Sequence, residues 1–367
     1  MQRALYHFFD ENDIIYGVDI LKSDRKYKCY CGKGVAFDQA ASYILEHTDV
    51  GAPEDLKVAV VSDRAVSGYY YNRFENQFIE RGVKPVLIPL QNIDTGKRLS
   101  VVDEIVKYLS DFGFGPCDWL VALGGGGILD AAGFAAYVLD SGISFMAVPT
   151  TLNAMVEGSV TSRARLNVSG HKDELSVPFE PDIVLADPTF LETVPAKIKT
   201  NGYAPIIRYA ILDEPSLILD LESPTDLREY LGRVYESRQR IERSDSRLLT
   251  LGDELANAIE SYFRFMNYTE GEALALSLLS CVDGRRAEAL KKIYRVLGLP
   301  VKLTGVSEKM IYKTLKERIV KEGKKDIILV DLLNSDKGRW VVRTLSSEEA
   351  LSILQSRLRM IVGEEDK

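Results

Sequence analysis

Four consecutive glycines, Gly124 to Gly127, stand between an apolar run and a stretch of small residues around Asp130. Glycines at the end of a buried strand leave backbone N–H groups free to point at an anion on the N-terminus of the next helix. The run Trp119 to Leu123 has the length and composition of such a strand. Ala131, Ala132, Gly133 and Ala135 then continue as a helix beginning around Asp130. A second apolar run, Phe145 to Val148, ends in Pro149-Thr150-Thr151 and completes one right-handed strand–helix–strand crossover. The spacing is not the G-x-G-x-x-G fingerprint, so the same glycines also suit a tight turn in any α/β protein.

Metal and thiol chemistry have little to draw on. The chain holds only three histidines, His7, His47 and His171. Cys29 and Cys31 are two apart, so on a strand they face one side and make no C-x-x-C pair. Cys117 and Cys281 are isolated, and all four read as buried or bystander thiols.

The elements that would position the glycine turn follow from periodicity. A small strand pair with a turn at Cys31-Gly32-Lys33-Gly34 leads into a helix near Phe37 to Glu46. Lys57 to Asp63 reads as a buried strand ending in an acid, followed by a helix through Gly68 to Arg81 and a strand at Pro85 to Pro89. Val101, Val102, Ile105, Val106 and Leu109 carry helical spacing over Arg98 to Phe112. Strand–helix alternation over 57–150 is the pattern of an open parallel sheet. Residues 152–182 read as polar loop, with a last strand at Ile183 to Ala186. Helices are expected over 197–212, 224–244, 246–263, 269–297 and 306–322, and a terminal helix over Ser346 to Val362. Ile327 to Val330 and Trp340 to Val342 suit a short hairpin. The expected architecture is an α/β N-terminal nucleotide-binding domain, 1–187, and an all-α C-terminal domain, 188–367.

Composition narrows the partners. A formal charge of -8 argues against nucleic acid, which needs a basic footprint. No apolar stretch reaches the length of a membrane span, and the first residues lack a signal-peptide pattern, so a cytoplasmic location is expected.

Five ordered blocks carry a family resemblance: ALGGGGILDAAGF, FMAVPTTLNAMVEGSV, PDIVLADPTFLETVPAK, GYAPIIRYAIL, and LLTLGDELANAIE followed by EGEALAL. Together they resemble the 3-dehydroquinate synthases and their sugar-phosphate cyclase relatives. The resemblance implies an NAD-binding domain, a helical metal-and-substrate domain and a homodimer. It also implies transient oxidation of a substrate hydroxyl by NAD, phosphate elimination, return of the hydride and an intramolecular aldol closure.

By that resemblance Asp63 is placed at the adenosine ribose, and Asp94 and Lys97 also lie on the nucleotide side. Gly124, Gly125, Gly126 and Asp130 match the pyrophosphate turn, and Thr150 and Thr151 match the element near the nicotinamide. Leu129 replaces a family glycine, where a side chain would crowd the pyrophosphate. On the substrate side, Arg163 and Arg208 stand at family lysines, Lys172 is retained, Asp173 replaces an asparagine and Glu157 an aspartate. Arg163, Lys172 and Arg208 keep positive charge that suits a phosphorylated or carboxylated ligand.

The resemblance fails at the metal. Relatives hold zinc with one Glu and two His, and those positions are Pro205, Asp253 and Glu270 here. No histidine elsewhere substitutes, so zinc is not expected and no metal ligand is assigned. Two carboxylates without imidazole are tolerable for Mg²⁺ or Mn²⁺, or serve as general bases. Three readings stay open at this point. The first is an NAD-dependent cyclase-like enzyme acting on a phosphorylated polyol or keto sugar without the zinc site. The second is a non-catalytic paralogue serving as a nucleotide-binding or regulatory subunit. The third is a non-redox lyase or transferase of the same fold.

Overall fold

Short apolar runs bounded by glycine, proline or acid form the centre of the N-terminal unit, as parallel strands buried on both faces should. The computed structural model describes residues 16–22, 25–91, 97–168, 171–221, 226–263, 267–321, 326–334 and 339–363. The strands are β1 (Tyr16–Lys22), β2 (Arg25–Cys31), β3 (Val58–Asp63), β4 (Val86–Leu90), β5 (Trp119–Gly124), β6 (Ser144–Pro149), β7 (Arg163–Val168), β8 (His171–Pro178) and β9 (Ile183–Ala186). The helices among them are α1 (Val35–Asp38), α2 (Ala40–Glu46), α3 (Arg64–Ile79), α4 (Leu99–Asp111), α5 (Gly126–Val138) and α6 (Leu152–Val156). One seven-stranded sheet has the order β1-β2-β9-β6-β5-β3-β4, parallel except for the β1–β2 pair. The chain fills one side of β3 with β4 and the other with β5, β6 and β9. The strand order therefore reverses between β3 and β5, where open α/β sheets leave a crevice at their carboxyl ends.

The chain divides into two units. One ends at Pro195 and takes back Asp226–Tyr235, and the other comprises Ala196–Thr225 and Glu236–Lys367. A division at residue 187 is thus moved to 195, with a returning segment that has a clear anchor. Tyr235 is fully buried, and its hydroxyl donates to the Met155 carbonyl at 2.9 Å. The second unit contains α7 (Ala196–Asn201), α8 (Tyr203–Leu212), α9 (Ser216–Leu219), the later part of α10 (Leu227–Asp245), α11 (Asp253–Tyr262), α12 (Glu270–Leu279), α13 (Gly284–Leu297), α14 (Glu308–Lys321) and α15 (Ser347–Ile361). Among the described residues it is helical apart from one antiparallel hairpin, β10 (Asp326–Asn334) with β11 (Arg339–Ser346).

Several local expectations are corrected. Residues 152–182 are not loop: β7 and β8 form a hairpin packed on α5. Only Ala164 and Leu166 of β7 are deeply buried, and the register shifts between Leu166 and Val168, so the two-residue alternation is too short to read. The stretch 269–297 is two helices, because Asp283 caps a new one by accepting from the Arg286 N–H at 3.0 Å. The stretch 246–263 is broken by Gly252 at φ 89. The Cys31–Gly34 turn does not join the strand pair. It leads from β2 into α1, where the buried Asp187 carboxylate accepts from Gly34 and Ala36 N–H at 3.1 and 3.3 Å.

Candidate functional site

In the N-terminal unit the switch between β3 and β5 brings Asp63 and the glycine turn to neighbouring strand ends, since Ser62 pairs with Leu123. Asp63 caps α3, one carboxylate oxygen accepting from Ala65 and Val66 N–H at 2.8 and 2.9 Å. The helix after the turn starts at Gly126, four residues earlier than the sequence suggests. Its N-cap is Gly125, which has no side chain to occupy the first-turn N–H groups. Gly124 is required by packing, since a Cβ there would lie 2.6 Å from the Ile128 Cγ1 atom. Gly126 faces open space, with nothing within 4 Å of an added Cβ. Leu129 is buried, with its side chain beside Gly158.

The β6 end lies beside this turn. Thr150 donates its N–H to the Gly124 carbonyl at 3.0 Å, and its buried Oγ1 has no hydrogen-bond partner among the described residues. Thr151 caps α6 by accepting from Ala154 N–H at 3.2 Å. An open helix N-terminus, an orphaned buried hydroxyl and an acidic residue on the next strand together fit a dinucleotide.

Lys97 and Asp130 do different work from their neighbours. The Lys97 ammonium donates to Asp130 at 2.7 Å and to Asp173 at 2.5 Å. The other Asp130 oxygen accepts from the Arg165 N–H at 3.0 Å. Asp173 stands at φ 56, the only positive φ outside glycine among the described residues, where the β7–β8 register is irregular. Its N–H donates to the Asn167 side chain at 3.0 Å, and the Asn167 N–H donates to the Lys97 carbonyl at 2.8 Å. Burial works against the Lys97 charge, but the two carboxylates more than offset it and raise its pKa. Burial raises the Asp130 carboxyl, with Lys97 pulling the other way. Asp94 lies outside the described residues.

Among the substrate-side candidates, Arg163 is exposed on β7, its Nε donating to the Ser176 hydroxyl at 2.5 Å. Lys172 is half-buried on β8, beside Asp173. Glu157 is half-buried at the C-terminal cap of α6. Arg165 was not singled out by the sequence. Its signal is an R-x-R spacing, which acquires meaning only once residues 163–168 are known to be a strand.

In the second unit, Arg208 is buried on α8 and donates to Asp253 at 2.7 Å. Asp253 opens α11 directly after Gly252, and its side chain keeps 42% exposure. Glu270 opens α12, exposed, behind a capping box made by Thr269 and Glu272. Both carboxylates therefore lie in first helical turns, where they complement the helix dipole.

No cluster of three metal-ligating side chains occurs among the described residues. A guanidinium already holds Asp253, and a cation about 4 Å from it would be repelled by about 4 kcal/mol per unit of its charge at an effective dielectric near 20. With Pro205 supplying no ligand group, these residues do not fit a zinc ion.

Comparisons with known proteins agree with this architecture. The 3-dehydroquinate synthase N-terminal family matches residues 87–201. A 3-dehydroquinate synthase from Prochlorococcus marinus (strain MIT 9211) is 30% identical over 311 residues, covering 76% of this chain and 83% of the relative. The 2-epi-5-epi-valiolone synthase of Streptomyces hygroscopicus subsp. jinggangensis 5008, solved with NAD+ and Zn2+ bound, superposes with a TM-score of 0.76 at 19% identity. That likeness covers 93% of this chain and 99% of the other. A 2-deoxy-scyllo-inosose synthase complexed with carbaglucose-6-phosphate, NAD+ and Co2+ gives a TM-score of 0.75 at 18% identity. It covers 94% of this chain and 100% of that one.

Proposed function

The chain belongs to the 3-dehydroquinate synthase family, and we propose that it is a sugar-phosphate cyclase-like enzyme working without the zinc site. Its chemistry on this reading is NAD-dependent and acts on a phosphorylated polyol or keto sugar. The observation that carries it is the open first turn of α5 at the strand-order switch, with Asp63 on the adjacent strand end. When bound, NAD supplies the hydride acceptor. The α5 turn would receive its pyrophosphate, and Thr150 would offer the hydroxyl that lacks a partner among the described residues. Asp63 keeps one oxygen for a ribose hydroxyl while the other caps α3.

On this reading the carboxylates of Asp253 and Glu270 take the part that zinc would otherwise play at a substrate hydroxyl. Asp253, held by Arg208, accepts a substrate proton as general base, and Glu270 is the second such group. Arg208 is a positioning residue here, since its side chain is only 4% exposed. Arg163 and Lys172 bind the anionic group of the substrate. The working form is proposed to be a homodimer.

Calorimetric titration with NAD tests the reading directly. Saturable binding is expected, and added Zn²⁺ is expected to leave its affinity unchanged. Absence of NAD binding under all conditions would sink the redox mechanism.

A single substitution separates binding from folding. Gly126→Asp places an acid in open space at a helix N-terminus, which is expected to stabilise by about 0.3–1 kcal/mol. The same charge faces the pyrophosphate, so NAD affinity is expected to fall more than roughly tenfold. Equal NAD affinity in this variant would place the cofactor elsewhere.

A further inference from the structure

The hairpin β7–β8 turns one face to α5 and the other away from it. Ala164 and Leu166 are buried, whereas Arg163 is exposed and Arg165 half-buried. Arg163 and Arg165 therefore share the outer face, about 6.6 Å apart along the strand. Arg165 lies opposite Ser176 in the register, and Ser176 takes the Arg163 Nε. Neither guanidinium forms an ion pair with a carboxylate among the described residues. Two like charges on one strand face are unfavourable without a counter-ion.

The strand beneath them is held firmly. Asp130 fixes the Arg165 N–H, and Lys97 ties Asp130 to Asp173 on β8. Gly133 of α5 admits the hairpin closely, since a Cβ there would lie 2.8 Å from the Phe179 ring. The two forks thus project from a backbone pinned on both strands.

We infer that Arg165 is a specificity-determining residue that pairs with Arg163 to clamp the phosphomonoester group of the substrate. The inference rests on the phosphorylated-substrate reading above. A guanidinium fork offers parallel N–H bonds that a lysine does not. Two forks suit a tetrahedral dianion, whose oxygens accept from both, better than a planar carboxylate with a single charge. Arg163 keeps the ends of its fork available because its Nε is the atom bonded to Ser176.

The test is calorimetric titration of the full chain with inorganic phosphate, with acetate as carboxylate control, at matched ionic strength. Arg163→Ala, Arg165→Ala and Arg165→Lys are compared, and NAD is titrated into each. Each alanine variant is expected to weaken phosphate binding roughly 10- to 100-fold, with NAD affinity unchanged. Arg165→Lys is expected to recover only part of the loss. In phosphate-free buffer Arg165→Ala is expected to unfold no earlier than the parent, because it removes like-charge repulsion. Phosphate binding by Arg165→Ala equal to the parent, or acetate binding as tightly as phosphate, would overturn the inference. Loss of phosphate and NAD together would also overturn it, by assigning the cations to the cofactor. NAD binding without phosphate binding in the parent would remove the clamp and leave the redox reading standing. Phosphate binding that depends on both arginines, without NAD binding, would uphold the clamp while the redox reading fell.

Discussion

Lys97→Met is expected to lower the unfolding free energy by about 3–5 kcal/mol, because it strands two partly buried carboxylates on one lost ammonium. The methionine matches the lysine stem as far as Cε, so packing is nearly conserved and the effect chiefly reads the lost ammonium. Asp173→Asn in the same background is expected to recover part of the loss, since one uncompensated charge goes. Urea unfolding near neutral pH measures both. A loss under about 1 kcal/mol would mean that solvent screens the triad as it screens surface pairs.

The pH dependence has a definite sign. The Lys97 pKa is raised in the fold, so its contribution is complete below its ordinary value of 10.5 and is lost as pH rises through the raised value. Burial raises the Asp130 carboxyl, so the fold holds that proton more readily than the unfolded chain. Without Lys97 to oppose it, this effect grows. Lys97→Met is therefore expected to gain stability relative to the parent as pH falls toward the range where Asp130 takes up a proton.

Gly271→Ala is the second large effect, expected at about 3 kcal/mol of destabilisation. An added Cβ would lie 2.6 Å from the Asn201 Cα and inside contact distance of its carbonyl oxygen. These are backbone atoms, which cannot swing aside as a side chain does. The Gly271 N–H also donates to the Asn201 side chain at 2.5 Å, so the substitution disturbs a hydrogen bond as well as a contact. Glu270 is the preceding residue in the first turn of α12, so a shift there also moves a candidate base. Gly126→Ala provides the control, since nothing lies within 4 Å of its Cβ, and it is expected to change stability by under about 0.5 kcal/mol. Thermal or urea unfolding of the pair decides, and equal stability of the two variants would refute the close-approach argument.

Much of the N-terminal unit was legible in the residues alone. Strands β3, β5, β6 and β9 are continuous apolar runs because a parallel sheet covered on both faces has no polar side to alternate. The glycine turn and α4 were legible for the same local reason: each is encoded within a window of its own neighbours. The five ordered blocks likewise marked the glycines, Arg208 and Asp253 as candidates before any contact was known, and the end of the first buried strand marked Asp63. What the tertiary structure alone decided are the pairings across sequence. Lys97 meets residues 33 and 76 positions away, and Arg208 meets Asp253 at a separation of 45. The hairpin β7–β8 was hidden because only one of its faces is packed and a bulge interrupts its period. The need for glycine at 271 comes from the end of α7, 70 residues earlier. Composition and periodicity report how a segment is solvated, whereas a salt bridge, a close approach and an outward-facing arginine pair depend on which segments the fold sets side by side.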